Sequence, residues 1–169
     1  MKNNIFYTLI LFFIFLNVDL VAKEFEINST TVKFDNTNKV TIFEGDVNTK
    51  DKKGNKIFSE YTEYNEIDEL VETKGITKVM TSEGFEVLSS NVFLDDKKKL
   101  IYSNYKTEIK DKDGNKIIVD MFSYSILTNI FFSKGNIEVL DVNNNIYNFS
   151  EIYIDEKKKK IIGSVVKAF

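Results

Sequence analysis

The chain writes nearly the same phrase twice, "DKKGNKI" at residues 51–57 and "DKDGNKI" at 111–117, and the second carries two acids at a spacing that could hold an ion. Asp111 and Asp113 would offer two carboxylate oxygens on one loop, as a calcium site begins. An EF-hand loop needs glycine at its sixth place and a bidentate acid at its twelfth. Here Gly114 is the fourth residue and Phe122 the twelfth. A glycine-containing hairpin turn fits the spacing better. Two acid pairs, Asp95–Asp96 and Asp155–Glu156, are candidates for acid–base work, but lysine runs follow them at Lys97–Lys99 and Lys157–Lys160. Neighbouring positive charge keeps a carboxyl ionised, whereas a general acid must hold its proton.

Other chemistry is scarce. Cysteine and histidine are both absent, which removes thiolate nucleophiles, imidazole bases, disulfides and the common zinc or iron ligand sets. A Ser–Lys dyad is the remaining nucleophilic route. No G-x-x-x-x-G-K-[ST] phosphate loop occurs. The expectation is a protein that is not an enzyme, with no cofactor and no metal. All basic charge is lysine, without one arginine, and the net charge of −3 is spread among interspersed signs, so no nucleic-acid surface is indicated.

The elements that would position any site come next. A chain of 169 residues is one domain's worth. It has no proline to interrupt strands, and its 15 Phe and 8 Tyr, with plentiful Ile and Val, favour β structure. The start, "MKNNIFYTLILFFIFLNVDLVAKEF", has Lys2 before a twelve-residue apolar run from Ile5 to Leu16, with Ala22 at a plausible cleavage point. Asn17 and Asp19 cut the run short of the roughly 20 residues that a spanning helix needs. Residues 1–22 therefore read as a signal peptide and 23–169 as the mature domain, exported from a bacterial cell.

Slid against itself by thirty residues, the chain shows columns. One holds Ile27, Ile57, Val87, Ile117 and Tyr147; another Val32, Thr62, Val92, Phe122 and Ile152; a third Phe34, Tyr64, Leu94, Tyr124 and Ile154. Directly after the third come the turn formers Asp35, Asn65, Asp95, Ser125 and Asp155. A glycine column, Gly45, Gly75 and Gly135, is broken by Tyr105. Each unit reads as a strand, a polar turn, a strand kinked at glycine and a second turn of the D-x-x-G type. In "KIFSEYTEYN", Phe58, Thr62 and Tyr64 share one parity; around Ser89–Ser90 the alternation changes phase, as at a bulge or bend. The lysine runs recur at equivalent positions and form a rim that discourages edge aggregation, with contact to anionic head groups as the second possibility.

The apolar columns are either ordinary core or the lining of a lipid trough, since both use the same residues. A resemblance speaks to this choice. The stretch "FEGDVNTKDKKGNKIFSEYTEYNE", the G-[DN]-[VI] steps at Gly45-Asp46-Val47 and Gly135-Asn136-Ile137, and the thirty-residue repetition over most of 24–169 resemble the OstA-like periplasmic domain of lipopolysaccharide-transport proteins. The resemblance implies an all-β, repeat-built β-jellyroll, an antiparallel sheet folded into an open V. Its apolar trough would hold lipid A acyl chains and relay lipopolysaccharide toward the outer membrane. Val32, Phe34, Ile57, Tyr64, Val87, Val92, Leu94, Ile117, Phe122, Tyr124, Ile152 and Ile154 would line that trough. Edge strands around Ile27, Val165 and Val166 would pair with other OstA-like domains in a bridge to inner- and outer-membrane transport components. The location implied is the periplasm, with possible attachment to the outer membrane. The member implied is an LptA-like carrier or, slightly favoured, the N-terminal part of an LptD-like protein. The rival reading is a structural or adhesive β-solenoid with a packed core and no lipid.

Overall fold

The structure is a computed structural model, and it describes residues 25–155 and 160–165; the expected signal peptide, residues 1–22, and Val166 lie outside them. Among the described residues there are fifteen strands and no helix. They form one antiparallel meander of bent traverses. β1 (Phe25–Asn28) and β2 (Thr31–Asp35) make the first, β3 (Val40–Asp51) the second and β4 (Lys56–Asn65) the third. Then come β5 (Leu70–Lys74) with β6 (Ile76–Met80), and β7 (Glu86–Ser90) with β8 (Phe93–Asp95). β9 (Leu100–Ser103) continues into β10 (Thr107–Lys110), and β11 (Lys116–Val119) into β12 (Phe122–Ser125). β13 (Ile130–Leu140), β14 (Ile146–Asp155) and β15 (Lys160–Val165) complete it.

Up to β14, each traverse pairs with the next along both of its halves, so the sheet is folded along a line through the middle of each traverse. One half of β4 pairs with β5 and the other with β6; one half of β13 pairs with β12 and the other with β11. The upper arm contains β2, β5, β8, β9 and β12; the lower arm contains β1, β6, β7, β10 and β11; β3, β4, β13 and β14 run through both. The expected folded all-β architecture is what the structure shows. Ten traverses at about 4.8 Å spacing give a stack on the order of 45 Å long.

The fold line explains the glycine column. Gly75 has φ 83° and nothing within 4 Å of where a Cβ would sit, so it serves the kink and is not crowded by a neighbour. Its N–H donates to Asn91 Oδ1 at 2.9 Å, and Asn91, at φ 50°, makes the reverse bend in the next traverse. Tyr105, the exception, needs no positive φ because two hydroxyls brace the bend: its N–H donates to Ser103 Oγ and its carbonyl accepts from Thr107 Oγ1.

The bend also shifts the pleat. Ile57 and Ser59 are buried before it, and Thr62 and Tyr64 after it. The shared parity expected for Phe58, Thr62 and Tyr64 is therefore corrected. Phe58 lies across from Asn48 and Lys78 on the outer face, because the phase changes between residues 59 and 62. The phase change expected near Ser89–Ser90 is present, with Ser89 and then Val92 buried on its two sides.

Candidate functional site

The two D-x-x-G phrases are turns of the lower arm, and each is held by a clasp. Asp51 Oδ1 accepts from the N–H of Lys53 and of Asn55, both at 2.9 Å, and Asp51 Oδ2 accepts from Asn55 Nδ2 at 2.6 Å. Asp111 does the same for Asp113 and Asn115, and Asp141 for Asn143 and Asn145. The asparagine carbonyl oxygens then reach the next turn, Asn55 to the N–H of Ser82 and Asn115 to the N–H of Val142. The carboxylates are committed to N–H donors, and the described residues contain no cluster of three metal-ligating side chains. These donors hold the Asp141 carboxyl below its usual range, the Asn145 side chain first among them.

The upper-arm turns use the aspartate column. Asp35, Asn65, Asp95 and Ser125 each accept from backbone N–H groups two or three residues on, and Lys39, Glu69, Lys99 and Asn129 close the turns at positive φ. Burial alone would raise the Asp95 carboxyl, but the side chain and backbone N–H of Lys98 outweigh it and hold it low. Of the lysine rim, Lys98 pairs with Asp95 at 2.6 Å, Lys99 with Asp96 at 2.7 Å, and Lys97 donates to the carbonyl of Ile67. Lys157–Lys159 lie outside the described residues.

Between the arms lie the apolar columns. Ile57, Tyr64, Val87, Val92, Leu94, Ile117, Phe122, Tyr124, Ile152 and Ile154 are all buried and belong to one cluster. Other columns that the sequence left unremarked join them, among them Val71, Ile101, Ile109 and Phe131. Phe122 and Phe131 stack at 5.2 Å, and Phe25 meets Tyr64 edge-on at 5.2 Å. The facing columns touch as one core, because apolar arms in water close on each other. An interior held open along its length is not the arrangement seen.

Val32 and Phe34 differ. They lie on β2, the edge strand of the upper arm, 43% and 72% exposed, opposite Phe43 and the buried Thr41. Ile27, on the lower-arm edge strand β1, is half-buried against the core. At the other end Tyr147, opposite Val139 on the inner face, is 48% exposed. Val165 pairs with Phe149 through the backbone of β15.

Along the fold line runs a feature that the apolar pattern concealed: a spine of buried hydroxyls. Thr73 Oγ1 accepts from the N–H of Val92 at 2.8 Å, and Thr77 Oγ1 donates to Thr73 Oγ1 at 2.7 Å. Ser89 shares hydrogen bonds with Ser103 and Thr107, Ser103 Oγ donates to the carbonyl of Ser90, and Ser133 Oγ donates to that of Met121. A strand that bends there loses ladder partners, and hydroxyls replace them. The signal was present as a column: Thr73, Ser103 and Ser133 each sit thirty apart, two places before the kink.

At the opposite side, where the two rows of turns face each other, a cavity of about 280 Å³ opens. Phe25, Leu94, Ile126 and Leu127 supply apolar walls, and Lys53 and Lys99 stand at its rim with Asp51 and Asp96.

No family model matches the sequence, and none of the curated proteins is similar to it. Among solved structures, the chain is similar to the crystal structure of LptH from Pseudomonas aeruginosa, described as the LptA-homologous periplasmic component of the conserved lipopolysaccharide transport device. The identity is 15% and the TM-score 0.34, over 85% of this chain and 84% of that one.

Proposed function

We propose that this chain is an exported carrier of lipid acyl chains. In this reading the apolar columns between the arms take lipopolysaccharide acyl chains in the periplasm and pass them along the stack toward the outer membrane. One observation carries the reading: the inner apolar faces run the length of the folded sheet, and among the described residues Phe34 on the edge strand β2 and Tyr147 on β14 stand exposed. Exposed apolar surface beside a sheet edge is where another apolar surface docks. Second copies, or similar domains of inner- and outer-membrane components, would add strands to β1, β2 and β15 and continue the apolar strip. The mature domain would be residues 23–169, freed of its signal peptide, and the chain would act without catalysis.

Loading requires the arms to part. An acyl chain of about a dozen carbons contributes on the order of 10 kcal/mol when buried, at roughly 0.8 kcal/mol per CH₂. That burial is set against core contacts which the chain replaces in kind, so the net preference is small and the lipid can slide. The packed interior favours a second reading, a structural solenoid that never opens. Photo-crosslinking in cells separates the two. Probes at Tyr64, Leu94 and Phe122 are expected to label lipopolysaccharide, and probes at Glu63 and Ser123, on the outer face, are not. Labelling from the outer positions alone, or from none, rejects the carrier. Charged or proline substitutions at Val165 and Val166 are expected to abolish partner binding while leaving the monomer folded.

A further inference from the structure

The mouth of the V is crossed by a bond between two residues that each break the repeat. Lys23 stands thirty residues before Lys53, but among the four lower-arm turns the place of Lys53 is held by Glu83, Asp113 and Asn143, so it is the one basic residue at that turn position. Ile126 is matched by Asn36, Glu66, Asp96 and Glu156, so it is the one apolar residue in its column. In the structure these two exceptions meet: Lys53 Nζ, on a lower-arm turn, donates to the backbone carbonyl of Ile126, on an upper-arm turn. The Ile126 side chain is folded into the core while Leu127 beside it is 63% exposed. The bond lies over the 280 Å³ cavity, whose apolar floor continues into the core through Phe25 and Leu94.

A lysine on a neutral carbonyl is a replaceable arrangement. A phosphate or carboxylate is the better acceptor, since an ammonium bond to an anion is roughly twice as strong as one to a neutral group. We infer that Lys53 is a latch that holds the two arms together at this point and is released by the anionic head group of an amphiphile, whose acyl chain then enters between the arms beside Ile126. The inference rests on the carrier reading and assigns its entry point and ligand class. The anion takes Lys53 from the Ile126 carbonyl, the turn rows part, and the apolar floor becomes reachable from the mouth. An uncharged amphiphile finds the same floor behind a closed latch.

The chain has no cysteine, so paired spin labels can be placed at Ile67→Cys and Ser82→Cys, exposed positions on opposite turn rows outside the cavity. Distances are read by double electron–electron resonance on the full chain. Without any amphiphile, Lys53→Met is expected to give a longer and broader distance than wild type, and Lys53→Arg a wild-type distance. Lys112→Met, a surface lysine two lower-arm turns further on, is the control for charge loss. Dodecyl phosphate is expected to widen the wild-type distance. Dodecyl maltoside and inorganic phosphate at equal concentration are not. Wild type is expected to take up dodecyl phosphate about tenfold faster than dodecyl maltoside, and the Met variant to lose that preference. A Met-variant distance that superimposes on wild type overturns the latch. So does equal uptake of the two detergents by wild type, and widening by inorganic phosphate alone overturns the assignment to an amphiphile. A wider Met variant into which neither detergent enters leaves the latch standing and rejects the carrier.

Discussion

Replacing Thr73 by valine keeps the shape of a side chain that is fully buried and removes one hydroxyl. That hydroxyl makes three hydrogen bonds: it accepts from the Val92 N–H at 2.8 Å, accepts from Thr77 Oγ1 at 2.7 Å and donates to the Val92 carbonyl at 3.2 Å. The losses are unequal. Thr77 Oγ1 can still donate to the carbonyl of Gly75 at 3.1 Å, and the Val92 carbonyl still accepts from the Thr73 N–H at 2.9 Å. The Val92 N–H keeps nothing, because Val92 lies at the bend with no exposed surface. A buried donor left unpaired costs about 1–3 kcal/mol, and the weaker lost bonds add about 1 kcal/mol, so Thr73→Val is expected to destabilise by about 2–4 kcal/mol. Thr73→Ser keeps the hydroxyl and deletes a methyl, at about 1 kcal/mol. Equilibrium urea unfolding, followed by intrinsic tyrosine fluorescence and circular dichroism together, measures both. If serine proves costlier than valine, the position is held by packing, and the account of the fold line as a hydroxyl-braced bend is wrong.

Other outcomes follow from the same structure. Gly75→Ala is expected to cost about 1–2 kcal/mol from the left-handed backbone alone, with Gly75→Asn milder, because the space around the missing Cβ is open; a larger loss in urea unfolding would mean a steric role. Asp111→Ala removes three bonds of its turn clasp and is expected to lower stability by about 1–2 kcal/mol, while millimolar calcium leaves the wild-type melting temperature unchanged; stabilisation by calcium would revive the ion-site reading. The Glu63 carboxyl is held below its ordinary range by the bond from Lys74, then by that from the Tyr61 hydroxyl. Its contribution to stability is therefore complete above the unfolded carboxylate pKa of about 4.3 and fades as pH falls through the lowered folded value. Glu63→Gln should flatten that part of the acid-unfolding curve, and an unchanged curve would refute the coupling. Tyr61, pushed up to about 12 chiefly by its bond to Glu63, contributes stability that is lost as pH rises from about 10 through that value, and Tyr61→Phe should remove this part of the alkaline loss.

Much of the architecture was legible because repetition reports on itself. The columns through Ile57, Val87 and Ile117 and through Tyr64, Leu94 and Tyr124 are the inner faces of the two arms, and the aspartate column supplies the upper-arm turns. Period alone did not give the pleat across the bend, which is why Phe58 was set on the wrong face. Nor could a column reveal that its first member lies at an edge: Val32 and Phe34 match the pattern of their equivalents but stand exposed on β2, which pairs with a neighbour on one side alone among the described residues. The hydroxyl spine was hidden for a different reason. Thr73, Ser103 and Ser133 read as breaks in an apolar stripe, and their use emerges when each is seen opposite a backbone group that the bend has left without a ladder partner.

The contact across the mouth lay beyond any local pattern, since Lys53 and Ile126 are 73 residues apart and belong to different arms. Yet both stand out in the sequence, Ile126 from its polar column and Lys53 from the other lower-arm turns. In a repeat-built sheet, a residue that obeys its column is explained by the unit it belongs to. A residue that disobeys must be explained by something the other units do not do. Tyr105 is such a case: it replaces a kink glycine and is accommodated by Ser103 and Thr107, a local repair within one traverse. Lys53 and Ile126 have no local repair. Lys53 stands where the other lower-arm turns carry Glu83, Asp113 and Asn143, Ile126 enters the core from a polar column, and the two meet across the mouth. Paired exceptions that meet in space are therefore where a chain of this kind departs from building a sheet and adds a contact that can open.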